Sequence, residues 1–229
     1  MTDLSIAIQH TPDRIDRQQW TQSIITQLQT ENPEISISVI QDSQRQGCWP
    51  TYRQALEAAN GATHHIVLQD DVELCNDFLQ SVKTVIGMRS QNLIELYTHS
   101  PSVEAVQERG ESWMQTYAAH GPGLIWPRNL ISEFLNWQDQ HIDPNCPWDD
   151  IRISMWLVKT SRQAFATVPS LIQHLGALSS VMGLNNAKKI ATWYIGTTQS
   201  GTHIDWTKGF HHPLQDAEWN PDWWQYFRA

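Results

Sequence analysis

Two adjacent acids, Asp70 and Asp71, close the apolar run HHIVL in the stretch HHIVLQDDVELC, and Glu73 follows two positions later. Paired carboxylates directly after an apolar run are a way to hold a hard divalent cation. Magnesium uses one or two carboxylates and takes its remaining ligands from water and substrate phosphates. Manganese accepts the same oxygens and tolerates imidazole. Like charges at the end of a buried strand are costly unless something offsets them, and a bound cation is the expected offset. The plainer alternative is two solvated acids in a turn. Glu73 is expected to be a solvated acid in the first turn of the following helix. A second acid pair, Asp149–Asp150, stands in PWDDIRISMWL at the predicted start of a helix, where acids also serve to balance the macrodipole. Cys48, Cys75 and Cys146 are spaced too widely and irregularly for a disulfide framework or a metal knuckle.

These acids need elements to position them. LSIAI (residues 4–8) is a short apolar strand running into the polar turn QHTPDR. Residues 17–28 place Trp20, Ile24, Ile25 and Leu28 at helical spacing. ISISVI (35–40) alternates and is β-branched, the pattern of a strand. QDSQRQGCWP is a loop, and TYRQALEAANG a helix closed by Gly61. HHIVL is the next strand, a helix runs from Phe78 to about Met88, and NLIELYT is a further strand. This alternation predicts an α/β architecture with a mostly parallel central sheet flanked by helices. Ligands bind such sheets beyond the carboxyl ends of the strands. QHTPDR, QDSQRQGCW and QDDVE should therefore gather at one edge. Beyond residue 100 the pattern loosens. PSVEAVQERGESW is a loop or short helix, and HGPGLIWPRNLISEFLNW a Gly-rich turn, a strand and a helix that Pro127 can start. The Asp149–Asp150 helix follows, then a strand in AFATV and a loop. From about residue 183 the chain is polar, with many Trp and His residues.

The 229 residues suit one domain with a C-terminal extension. Lys and Arg number 15 against 24 Asp and Glu, a net charge of -9, which gives no general attraction to polyanions or anionic lipid. No signal peptide or membrane-spanning run is apparent, and a cytoplasmic location is expected. Twelve tryptophans offer flat faces for stacking on sugars or bases, although filling the core is the commoner use.

Six segments, in order, resemble the GT-A-fold glycosyltransferases, in particular short glycosyltransferase-like proteins of bacteria and phages. LSIAIQHTPDR is similar to the first strand and nucleotide loop, and GCWPTYRQALEAANG to the nucleotide-contacting helix. HIVLQDDVELCNDFL is similar to the DxD-type metal segment, and HGPGLIWPRNLISEFL to the acceptor loop with its strand. PWDDIRISMWL resembles the helix start carrying the catalytic carboxylate, and PSLIQHLGALSS the late loop with a metal-binding histidine. The likeness spans about residues 4–182. It implies a Rossmann-like GT-A sheet, with a nucleotide-binding half over residues 1–100 and an acceptor half over 101–182. It departs from the family in reading QDD for the strict DxD and WDD for Glu-Asp.

The resemblance implies a metal-dependent hexosyltransferase, moving sugar from a nucleotide-sugar, expected to be a UDP-sugar, with Mn2+ or Mg2+. Asp71 and His174 would hold the metal, with Asp70 a second ligand or a contact to ribose. Asp150 would be the base of an inverting displacement, and Asp149 would hold acceptor hydroxyls. His10 and Thr11 would meet uracil or ribose, and Trp49, Tyr52 and Arg53 would line the nucleotide. Arg14 pairs a phosphate or lies at the surface, and Tyr52 shares helical spacing with Leu56, so it is equally a core residue. Gly121 and Gly123 would let the backbone approach a sugar, or form an ordinary turn around Pro122. His203, His211 or His212 would close over the diphosphate. The acceptor would be a glycan, a protein side chain or a modified base in phage DNA. Two other classes compete: a metal-dependent nucleotidyltransferase or phosphohydrolase, and a non-catalytic carbohydrate-binding module built on tryptophan.

Overall fold

The computed structural model describes residues 3–175, 189–211 and 221–228. The architecture is α/β. Strands β1 (Leu4–His10), β2 (Ser36–Gln41) and β3 (His64–Gln69) alternate with helices α1 (Ile15–Glu31) and α2 (Cys48–Glu57). A short strand β4 (Val72–Leu74), helix α3 (Phe78–Arg89), strand β5 (Leu93–Glu95) and helix α4 (Ser102–Glu108) follow. Then come β6 (Trp113–Thr116), β7 (Gly123–Pro127), α5 (Arg128–His141), α6 (Asp149–Lys159), β8 (Ala164–Thr167), β9 (Ile172–His174) and β10 (Phe210–His211). Helix α2 begins at Cys48, so its first turn comes out of the stretch expected to be loop, and it ends before Gly61.

The main sheet has the order β10-β6-β8-β5-β7-β3-β1-β2. It is mixed. β1 pairs in parallel with β2 and β3, β5 with β8, and β10 with β6. β7 runs antiparallel to β3 and β5, and β6 antiparallel to β8. The sequence pattern predicted more parallel pairing, because alternation with helices says nothing about a strand inserted between two others. β7 lies in the middle with its start, not its end, at the edge where β1, β3 and β5 finish.

Both faces of the sheet are covered, which explains the near-continuous apolar strands. Ile6, Ile8, Ile66 and Leu68 pack with Ile24, Leu28, Phe78 and Val82 of α1 and α3. Ala7, Val67 and Trp126 pack with Tyr52, Phe134 and Trp156 of α2, α5 and α6. Trp113, Trp126 and Trp156 are among the largest fully buried side chains, so these serve the core rather than a sugar. Among the described residues, no helix is long and apolar enough to cross a membrane.

A separate two-stranded ribbon decides where the site forms. β4 pairs antiparallel with β9, setting Val72 opposite His174 and Leu74 opposite Ile172. The Leu175 amide then donates to the Asp71 carbonyl at 2.7 Å. This fixes His174 beside the acid pair. It also corrects the expectation for Glu73, which stands half-buried in β4 and not in a helix.

Candidate functional site

A cleft of about 350 Å3 opens at the carboxyl edge of β1, β2, β3 and β5. It is of a size typical for small-ligand sites. Both acid pairs line it, together with His10, Thr11, Arg17 and His174.

The Asp70–Asp71 pair is compensated from within the chain. Arg17, 4% exposed, places Nη1 2.5 Å from Asp70 Oδ1 and Nη2 2.7 Å from Asp71 Oδ2. The other Asp70 oxygen accepts from the Thr11 amide at 2.7 Å and from His10 Nδ1 at 3.0 Å. Both oxygens of Asp70 are thus engaged in holding the β1 turn and α1 to β3, while the residue still lines the cleft. Asp71 differs. His174 Nε2 lies 2.9 Å from its Oδ2, while Asp71 Oδ1 and His174 Nδ1 have no hydrogen-bond partner among the described residues. Burial pushes the Asp71 carboxyl up, but the His174 hydrogen bond and the His174 and Arg17 charges outweigh it, and it sits below the usual range.

Arg17 escaped the sequence reading because an arginine in the first turn of a helix ordinarily faces water. A signal was present. The buried stripe of α1 is Arg17, Thr21, Ile24 and Leu28. Extending the Ile24–Leu28 face back by one helical turn at a time reaches Thr21 and then Arg17. Arg14 lies outside the cleft lining and pairs with Asp16 on the helix surface.

The Asp149–Asp150 pair sits in the first turn of α6. Its position depends on Arg152, which is 1% exposed and spends its guanidinium on backbone. Arg152 Nε and Nη2 donate to the Cys146 carbonyl at 3.1 and 2.6 Å, and Nη2 also reaches the Asp143 and Pro144 carbonyls. Nη1 donates to Gln138 Oε1 at 2.7 Å, and the Trp49 ring lies beneath at 4.5 Å. Arg152 thereby holds the turn that feeds the acids into the cleft. Asp149 is buried, its Oδ1 accepts from the Asp150 amide at 3.0 Å, and its Oδ2 has no hydrogen-bond partner among the described residues. Burial, with the Asp150 charge second, pushes the Asp149 carboxyl up to about 7. Burial also raises Asp150, opposed by the Ile151 amide and the Lys189 and His120 charges.

The remaining expected residues divide. Gly121 lines the cleft, and a Cβ there would stand 2.9 Å from Gln69 Nε2 and 3.6 Å from Asp149 Oδ2, so its smallness lets those two side chains approach the backbone. Gly123 is different: a Cβ would meet Ile172 Cδ1 at 2.4 Å, so its smallness serves packing within β7 and not a sugar. Helix α2 turns Cys48 and Thr51 to the cleft. Trp49 packs edge-on against Phe134, and Tyr52 is fully buried with its hydroxyl accepting from Trp126 Nε1 at 2.8 Å. Arg53 pairs with Asp139 and Glu57 at the surface. These three therefore belong to packing and surface, not to the cleft lining. His203 is exposed in a short 3-10 helix and is not part of the lining, while His211 enters the main sheet through β10. His212, and the Gly and Ser residues after His174, lie outside the described residues.

No protein-family model matches this chain, and no curated protein matches it. The geometry therefore carries the functional argument alone. Among the described residues no group of three or more His, Cys, Asp or Glu side chains is arranged to hold a metal ion. What the cleft offers is smaller: Asp71 and His174, joined through Oδ2 and Nε2, with Asp71 Oδ1 and, on the far side of the ring, His174 Nδ1 lacking a hydrogen-bond partner among the described residues. A carboxylate and an imidazole are donor types that magnesium or manganese accepts, and an ion held by both residues would take the place of the His174 Nε2–Asp71 hydrogen bond.

Proposed function

We propose that the chain is a divalent-metal-dependent glycosyltransferase of GT-A type, taking sugar from a UDP-sugar and passing it to an acceptor hydroxyl with inversion. One observation supports this reading above the others. Two acid pairs line one cleft, and the chain treats them differently: the first is neutralised by Arg17, while burial raises both members of the second.

The cleft carries the carboxylates of Asp42, Asp70, Asp71, Asp149 and Asp150, and Arg17 is already spent on two of them. A diphosphate entering such a wall needs more positive charge than Arg17 and Lys189, the lysine and arginine of the lining among the described residues, supply. A metal on Asp71 and His174 would neutralise the charge developing on the diphosphate leaving group. The Asp150 carboxylate would take the proton of the acceptor hydroxyl as the oxygen attacks the anomeric carbon, with the bond to diphosphate breaking on the opposite side. Asp149, holding a proton near neutral pH, would donate to an acceptor oxygen and orient it. Bringing donor and acceptor into one cleft supplies the remaining acceleration.

Calorimetry with UDP, with and without manganese, followed by a donor-hydrolysis screen across nucleotide-sugars, tests this. Binding is expected only with the metal, and Asp71→Asn should abolish it. Asp150→Asn should keep the binding and lose about 10²–10⁴-fold in transfer, the usual contribution of a positioned base. UDP binding that ignores manganese would overturn the proposal.

A further inference from the structure

The two acid pairs pose the same electrostatic problem and meet different answers. Asp70–Asp71 has a buried arginine bridging it. Asp149–Asp150 forms no ion pair with any lysine or arginine among the described residues, and Arg152, two positions on, is turned to backbone carbonyls. The charges of Lys189 and then His120 bear on Asp150, and that of Arg152 on Asp149. Lys189 is exposed. His120 is built in.

Three contacts hold His120 against the start of α6. Glu95, fully buried at the end of β5, accepts from both the His120 amide and His120 Nδ1 at 2.6 Å. The preceding amide, of Ala119, donates to Ser154 Oγ of α6 at 2.9 Å, and Ser154 Oγ donates to the Asp150 carbonyl at 2.7 Å. The following residue, Gly121, lies against the Asp149 carboxylate. A buried carboxylate on Nδ1 favours the protonated ring and leaves Nε2 as the ring's other polar atom. An acid inside a core strand is otherwise expensive, so Glu95 needs such a partner.

We propose that His120, held by Glu95, is a positioning residue that supplies positive charge Asp150 needs to present a carboxylate at neutral pH. The compensation of the first acid pair is permanent, because an arginine does not titrate. That of Asp150 has a switchable part, because an imidazole does titrate. The groups around His120 are Glu95, Tyr97 and His99 from the end of β5 and the segment after it, Asp149 and Asp150 from α6, and Lys189. The His99 ring stands 4.4 Å from that of His120 and the Tyr97 ring 5.9 Å, so both shield the pair from water. The catalytic meaning rests on the transfer reading; the charge arrangement does not.

The test therefore starts without substrate. Carbon-13 NMR follows the aspartate carboxyls of the full chain against pH in wild type, His120→Gln, His120→Lys and Glu95→Gln. In His120→Gln the Asp150 carboxyl should keep its proton to a pH about one unit higher, the low end for loss of a close opposite charge. Glu95→Gln should move it the same way, and His120→Lys should restore the wild-type titration. An Asp150 titration that is the same in His120→Gln as in wild type, or that moves equally in the Gln and Lys variants, would overturn the proposal. The rising limb of the transfer rate against pH should move with the carboxyl. If the carboxyl moves and no nucleotide-sugar is consumed by any of the proteins, the transfer reading fails while the charge arrangement stands.

Discussion

Replacing Arg17 with methionine would keep the apolar stem of the side chain and delete its charge. In the native protein that charge stands 2.5 Å from one aspartate and 2.7 Å from the next, with all three side chains almost wholly out of water. Removing one partner of a buried ion pair typically costs about 3–5 kcal/mol, because the other charge is left buried and unpaired. Asp70 keeps the Thr11 amide and His10, and Asp71 keeps His174, which argues for the lower end. About 3 kcal/mol is a large share of the stability of an ordinary domain, and in a chain of this length it lowers Tm by about 6–12 °C. Urea denaturation at pH 7 reads it. The pH dependence supplies a second check. The Asp71 carboxyl lies below its ordinary range in the folded state, so its contribution is present above the unfolded pKa and lost as pH falls through the folded one. The gap between wild type and Arg17→Met should therefore narrow below about pH 4. Adding Asp71→Asn to the variant should recover part of the loss, giving a coupling term in the double-mutant cycle. A loss under about 1 kcal/mol at pH 7, or one that does not change with acidification, would refute the view that Arg17 neutralises the pair.

Two further outcomes follow from the second acid pair. Asp149 has a raised pKa in the folded state, so the folded chain pays no charge-burial cost below pH 3.8 and loses stability as pH rises towards about 7. At about 1.4 kcal/mol per pH unit the ceiling is about 4 kcal/mol, part of which Asp150 shares. Asp149→Asn should therefore be stabilising relative to wild type at pH 8 and much less so at pH 5; equal differences in urea denaturation at both pH values would contradict this. Arg152→Met should leave four backbone carbonyl contacts of residues 143–146 unmade, and hydrogen exchange should rise in the turn before α6. Unchanged exchange there would show that the turn holds itself.

The local pattern carried the first half of the fold well. Residues 4–10, 64–69 and 78–89 declare themselves because a strand buried on both faces is apolar throughout and a helix is not. The insertion of β7 between β3 and β5 was not legible, since strand order depends on the whole sheet. β9 was missed because three residues ending in His174 show no period. Within the site, acids and the late histidine were legible because they are conspicuous residue types at element ends. Arg17 and Glu95 were hidden for the converse reason. Each is a charge inside an element, ordinarily solvated in a helix and ordinarily absent from a core strand, and only the third dimension supplies its partner. Tyr52 suited ligand and core alike and Trp49 was expected at the nucleotide, and the turn of α2 by a single position set both in the core.

The β4–β9 ribbon has a consequence for how the protein is made. Asp71 and His174 are about 100 positions apart in the chain, and nothing local draws them together. Closing so long a loop is entropically expensive and is recovered only once the distant strand docks. During synthesis β1, α1 and β3 can assemble, and Arg17 can settle between its aspartates, well before residue 172 has left the ribosome. In the nascent chain Arg17 can thus offset part of the pair's charge through the interval in which their late partner does not yet exist. A buried arginine in the first helix serves the early chain as well as the finished one, and it separates the problem of folding around two negative charges from the problem of using them.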